Sequence, residues 1–204
     1  MKKSVGFLVV AVLAFANMQA VNGAIASEGD SGASAEAGKY VWVVDHARSS
    51  LGFRAVEEGR RFEGSFADFA SMVILNPEDL STAEIIAEVD VTSVDAGNAD
   101  RNEVLPIRDW FWVDKFPMAH FSSADITLAG DGHYQAAGEL TIKGITLPAV
   151  LEFSLVIERD RAIADGHLSV NRMDYKIGTG DYKSDSWIGH EVDVVMHIEA
   201  DRAR

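Results

Sequence analysis

The ten residues Glu191-Val192-Asp193-Val194-Val195-Met196-His197-Ile198-Glu199-Ala200 alternate along their whole length. Val192, Val194, Met196, Ile198 and Ala200 take one face, and Glu191, Asp193, Val195, His197 and Glu199 the other. A period of two describes a strand with one face on a core and one in water. The pattern recurs upstream. Leu151, Phe153, Leu155 and Ile157 alternate with Glu152, Ser154, Val156 and Glu158. Ile85, Ala87, Val89 and Val91 stand opposite Glu84, Ile86, Glu88 and Asp90. Phe62, Gly64 and Phe66 oppose Glu63 and Ser65, and Leu51, Phe53 and Ala55 alternate with Gly52 and Arg54.

Further strands are expected at Tyr40 to Asp45, Met72 to Leu75, His120 to Leu128, Tyr134 to Ile142 and Ala162 to Val170. Turn residues separate them: Glu57-Glu58-Gly59, Asn76-Pro77-Glu78-Asp79, Ala129-Gly130-Asp131-Gly132, Lys143-Gly144 and Glu158-Arg159-Asp160. Residues 174–185 read as irregular. Many short antiparallel strands at regular spacing close as a sandwich or an up-and-down barrel, and the barrel leaves no open edge. The expected fold is all-β: an antiparallel, lipocalin-like barrel of about eight strands with a short helical crossover. Which strand face points inward is not set by the pattern, because a barrel and a sandwich share it.

The alternation stops between Ala96 and Phe116. Ala96 to Leu105 reads as a short helix with Asn98 as its cap, stopped by Pro106. Trp110, Phe111, Trp112 and Phe116 follow, bracketed by Pro106 and Pro117, with Arg101, Arg108 and Asp109 among them. Rings of that size are normally buried. This connection is therefore expected to fold back on the strands and close something.

The chain has 204 residues, no cysteine and a net charge of −14, which becomes −16 without Lys2 and Lys3. The length suits one domain. The acidity argues against nucleic acid and against anionic lipid headgroups as partners, and the missing cysteines exclude disulfides and thiolate chemistry. Lys2 and Lys3 precede an apolar run, Val5 to Ala16, too short to span a bilayer comfortably. Small-x-small Ala24-Ile25-Ala26 follows. Residues 1–26 read as a secretory signal peptide, with Ala20 as a rival cleavage point and an uncleaved anchor as the alternative. Residues 27–38, small and polar, read as a flexible linker, and residues 39–202 as the barrel.

Motif-level chemistry is sparse. His46, His120, His133, His167, His190 and His197 show no H-x-H or HExxH spacing, so a local zinc motif is absent. They read as surface or hydrogen-bonded residues, a metal site from distant strands being the alternative. No G-x-S-x-G elbow surrounds Ser49-Ser50 or Ser122-Ser123, and Gly178-Thr179-Gly180 lacks the rest of a phosphate loop. No catalytic residue and no metal ligand is assigned. Phe53, Phe62, Phe66, Phe69, Trp110, Phe111, Phe116, Phe121, Phe153 and Trp187 form the set expected to line a tunnel or its lid. A packed core is the alternative for each. Arg101, Arg108 and Asp109 are expected to tie the crossover to the barrel by charge-assisted hydrogen bonds.

Several of these fragments occur together in one known family. Tyr40-x-x-x-x-Asp45, Ser50-x-x-Phe53, Phe62-x-Gly64-x-Phe66-x-x-Phe69, Trp110-Phe111, Phe116-Pro117…Phe121-x-Ser123 and Gly138-x-Leu140-Thr141-Ile142-x-Gly144 follow one another in the order found in the YceI-like periplasmic proteins, which the chain resembles over residues 39–201. The resemblance implies a lipocalin-like barrel whose apolar tunnel holds a polyisoprenoid or the tail of an isoprenoid quinone. That ligand is the expected occupant, with no separate cofactor. The chain departs from the pattern in two places. Asn102 follows Arg101 where an Asp is usual, with Asp109 as a replacement acid, and Val56-Glu57 stands where a histidine is common. The segment Asp185 to Val192 resembles a subgroup often encoded beside membrane b-type cytochromes. The resemblance thus implies a periplasmic, non-catalytic carrier. A hydrolase using the same cavity, or an interaction module for a membrane b-type cytochrome, are the alternatives. Oligomeric state is open, a homodimer included.

Overall fold

The computed structural model describes residues 40–203. The expected leader and linker lie outside the described residues. Eleven strands follow in order: β1 (Val41–Val44), β2 (Ser50–Glu57), β3 (Arg60–Phe66), β4 (Phe69–Asn76), β5 (Asp79–Asp90), β6 (Val94–Asp95), β7 (Met118–Gly130), β8 (His133–Ile142), β9 (Ile145–Glu158), β10 (Arg161–Asn171) and β11 (Glu191–Arg202). One helix, α1 (Ala99–Val104), lies between β6 and β7. Every strand pairing among the described residues is antiparallel, and β1–β4–β5–β7–β8–β9–β10–β11 returns to β1 as a closed eight-strand barrel.

β11 closes the ring by pairing two strands on one side. Its first half pairs β2, with Val194 opposite Phe53 and Met196 opposite Leu51. Its second half pairs β1, with Ala200 opposite Val44. Between them the chain bends at residues 45–49. Ser49 Oγ accepts from the Glu199 amide at 3.0 Å and keeps the ladder continuous across the bend. Arg48 fastens the bend from outside through Asp45 and Glu199, both at 2.7 Å. On the far side of β1, the Trp42 indole N–H donates to the Leu75 carbonyl at 3.0 Å and ties β1 to β4.

The turns explain why the register is unique. Glu58-Gly59 and Lys143-Gly144 take positive φ at both positions, the geometry of two-residue hairpins whose twist matches the strands. Gly144 is also required for space, since a Cβ there would stand 2.6 Å from the Phe116 ring. Asn76 Oδ1 accepts from the Glu78 amide at 3.0 Å, and β5 runs from Asp79 to Asp90, where the alternation placed a strand over residues 85–94; residues 91–93 form a 3-10 turn instead. A bulge in β7 between Ser122 and Asp125 shifts the alternation by one, so that Ile126 follows Ala119, Phe121 and Ser123 on the buried face, and the Ser123 hydroxyl donates to the Ala137 carbonyl at 2.7 Å.

The helix is shorter than the expected 96–105. Asn98 caps it as expected, accepting from the Asp100 and Arg101 amides at 2.8 and 3.3 Å. Ala96 stays outside the helix because the Asn102 side chain takes its amide at 2.7 Å.

The facing question is resolved by the ladders. Phe53, Val194, Leu168, Phe153, Tyr134, Phe121 and Ile85 all belong to the inward set. Their alternating neighbours, such as Glu63, Glu152 and Asp193, face outward.

Candidate functional site

The interior wall is apolar between its ends. Buried Trp42, Ile85, Phe121, Tyr134, Leu151 and Phe153 stand among small residues such as Ala87, Ala136, Gly138 and Ala164. Gly138 is small of necessity, because a Cβ there would lie 2.1 Å from the Ser122 carbonyl oxygen. Tyr134 and Phe153 stack at 5.4 Å between centroids. Ser71 and Ser123 are the polar interruptions. Glu57, at one end, is paired with Arg101, and Arg202, at the other, lies over the Trp42 ring at 5.2 Å. Many inward side chains remain only half-buried, Phe53, Phe62, Leu147, Leu155, Val194 and Met196 among them.

One end of the barrel is capped by four segments: the β2–β3 turn, the crossover with α1, the β8–β9 turn and the β10–β11 loop. Arg101 clasps the first two. Its guanidinium reaches Glu57 at 2.7 and 3.0 Å, the Ala96 carbonyl at 3.0 Å, and lies 4.0 Å above Phe62. Asp109 joins the crossover to the β10–β11 loop. Its carbonyl accepts from the Gly178 and Thr179 amides at 2.7 and 2.9 Å, and its carboxylate from Thr179 Oγ1 at 3.2 Å. Lys143 Nζ, on the β8–β9 turn, donates to the Lys176 carbonyl at 2.7 Å. Burial pulls its pKa below the ordinary lysine value, Asp109 opposing this and Arg108 and Lys176 adding to it.

The expected site residues divide by position. Phe121 and Phe153 are buried in the wall. Phe53, Phe62 and Phe66 form a tilted and edge-on cluster at the cap end, extended to Phe111 of the crossover at 6.5 Å. Trp110 is buried against Tyr182 at 5.4 Å. Phe116 packs on Trp112 and over Gly144. Phe69 is half-buried, its edge on the His46 ring. Two residues need correction. Trp187 is 62% exposed and does not face the interior, because its neighbour Ile188 is the one turned inward. Arg108 reaches no carboxylate among the described residues; it lies over Trp112, on its own segment, at 5.1 Å.

Arg172 escaped the sequence reading altogether. It is 2% exposed and donates to five main-chain carbonyls: Gly189, Ile177, Gly178, Tyr182 and Ile188, all between 2.7 and 3.0 Å. It gives the β10–β11 loop its shape, and burial without a charged partner lowers its pKa. Among the described residues, no three His, Asp or Glu side chains converge as metal ligands would.

The YceI-like domain model matches residues 42–200. The chain belongs to the YceI-like family. A UPF0312 protein of Photorhabdus laumondii is 26% identical over 180 residues, covering 84% of this chain and 90% of the relative. The crystal structure of Burkholderia cenocepacia BcnA superposes with a TM-score of 0.74 at 29% identity, over 77% of this chain and 99% of that one. A polyisoprenoid binding domain from Saccharophagus degradans gives 0.62 at 15% identity, over 80% and 99%. At that identity the likeness is one of fold.

Proposed function

We propose that this YceI-like protein holds a polyisoprenoid or isoprenoid-quinone chain inside the barrel and carries it in the periplasm without catalysing a reaction on it. The carrying observation is the wall. It is apolar and half-buried between its ends, and charged side chains appear only at those ends, as Glu57 paired to Arg101 and as Arg202. An apolar chain gains roughly 0.8 kcal/mol per buried CH₂ without any charged contact. A hydrolase would need two or more titratable groups converging inside, and among the described residues the wall between its ends offers only the Tyr134 phenol, stacked on Phe153. The Saccharophagus neighbour, described as polyisoprenoid-binding, supports the choice of chain. The Lys2-Lys3 and Val5–Ala16 leader supports the compartment.

The test is to obstruct the wall. Ala164 is an inward, half-buried position opposite Leu155 and Ile198. Ala164→Phe is expected to keep the strand signal in circular dichroism and to lower uptake of a fluorescent polyprenol by roughly tenfold or more. Unchanged uptake by a folded variant would place the ligand elsewhere.

A further inference from the structure

Three arginines are largely withdrawn from water, and one of them differs from the other two. Arg101 and Arg172 have every guanidinium nitrogen engaged. Nε and Nη2 of Arg101 donate to Glu57 and its Nη1 to the Ala96 carbonyl. Arg172 places all three nitrogens on main-chain carbonyls. Arg202, with its side chain 22% exposed, has only Nη2 engaged, on the Arg159 carbonyl at 3.3 Å. Among the described residues no acceptor takes its Nη1 or Nε, and Nε is shielded from water as well. The nearest carboxylate oxygen, on Asp160, stands 3.7 Å from Nε, beyond hydrogen-bond reach and on a side chain 86% exposed. A shielded charged donor without an acceptor is costly. It marks a place where an acceptor fits.

That place is the mouth of the barrel opposite the cap. Arg202 ends β11 in register with Trp42, on the face that carries Val194, Met196, Ile198 and Ala200, so it belongs to the inward set. The Tyr40 and Trp42 rings lie 5.3 and 5.2 Å from its guanidinium carbon. Rings attract the cation but supply no lone pair to its N–H groups. A recess of about 620 Å³ opens here, with Arg159 and Arg161 beside Arg202. Arg161 shares the orphaned Nε, but it faces outward and its guanidinium is taken by Glu199. Three carboxylates also line the recess. Asp201 stands 3.5 Å from Arg48, and Glu158 and Asp160 are exposed beside the β9–β10 turn, where water screens them. The cap end is unlike this one. Its inner surface is the Phe53, Phe62, Phe66 and Phe111 cluster, and Arg101 and Glu57 there are already spent on each other.

We propose that Arg202 is the headgroup anchor of the tunnel and takes the phosphate of a polyprenyl phosphate, the chain running inward from it and its tail ending against the aromatic cluster under the cap. The proposal rests on the reading of the interior as an isoprenoid-chain site and adds the head and the direction. A neutral carbonyl or hydroxyl would satisfy one N–H and leave the charge unmatched. A phosphate does both, because its oxygens accept from the guanidinium fork in pairs.

The test compares two ligands of one chain length, undecaprenyl phosphate and undecaprenol, as displacers of a fluorescent polyprenol from the full chain in detergent. The wild type is expected to hold the phosphate roughly tenfold or more tighter than the alcohol. Arg202→Gln is expected to bring the two within about twofold by weakening the phosphate alone, and Arg202→Lys, which keeps the charge but not the fork, to lose at least about threefold of the preference. Circular dichroism checks that each variant is folded. Arg54→Gln, on the outer face and paired with Glu63, is the control and should leave both affinities unchanged. Inorganic phosphate alone is expected to displace nothing; displacement by it would make the site one for the free anion and contradict the proposal. Equal retention of the two ligands by the wild type, or a full preference surviving in either folded Arg202 variant, would overturn the anchor and leave the carrier reading standing. Retention of neither ligand would overturn both.

Discussion

Arg172 is held by five carbonyl oxygens and by no carboxylate among the described residues. Only a guanidinium supplies five N–H donors in a fixed plane; an ammonium has three from one atom. Arg172→Lys keeps the charge and still strands at least two buried carbonyls. The expected cost is about 2–3 kcal/mol in urea denaturation, with faster amide exchange over residues 177–189 while the strands stay protected. A loss no larger than that of an exposed arginine would mean the loop does not depend on it. His197 offers a smaller effect of opposite visibility. Its ring Nδ1–H donates to the Asp165 carboxylate at 2.7 Å, which raises its pKa, burial opposing and Glu199 adding to the rise. A raised folded-state pKa gives stability that is full below the unfolded value, about 6.5, and is lost as pH climbs through the folded one. At 40% side-chain exposure the contribution stays below about 1 kcal/mol. Urea midpoints measured from acid to mildly basic pH should fall more steeply for the wild type than for His197→Gln; parallel curves would assign the slope to other groups.

At the scale of elements, the crossover is the informative piece. Trp110 and Phe111 contribute the cap's inner surface, against Tyr182 and Phe66, while the barrel ladders run independently of them. The double change Trp110→Ala with Phe111→Ala is expected to speed release of a bound polyprenol at least tenfold, with far-ultraviolet circular dichroism retained. If the domain simply unfolds, the segment is core and has no gating part. The strands themselves were legible because alternation is a local consequence of the pleat; residues 191–200 and 151–158 needed nothing else. The cap of α1 was equally local, since Asn98 satisfies amides two and three residues on. What could not be read was convergence. Nothing near Arg172 in the chain signals that carbonyls as distant as Gly189 turn toward it. In the irregular loop no period assigns Trp187 outward and Ile188 inward, so the larger ring was expected inside. Arg108 had an aromatic neighbour, Trp112, four residues on, and a short-range ring contact competes with a longer reach to the barrel.

At the scale of the molecule, closure decides the function. Eight strands in a ring leave an interior about wide enough for side chains or one slender ligand. Small residues such as Ala87, Ala164 and Gly138 on the inward face lean toward the second, and the half-buried state of Phe53, Leu147, Val194 and Met196 does so too. The polar groups that remain stand at the two ends, where a chain's headgroup or its tail would finish. The central claim is that an isoprenoid chain occupies this space. Native mass spectrometry of the gently purified protein tests it most directly. The account predicts a species heavier than the bare chain by the mass of one isoprenoid lipid, released as a discrete molecule on collisional activation. A protein that arrives bare, and remains bare when offered ubiquinone or an undecaprenol analogue, would contradict it.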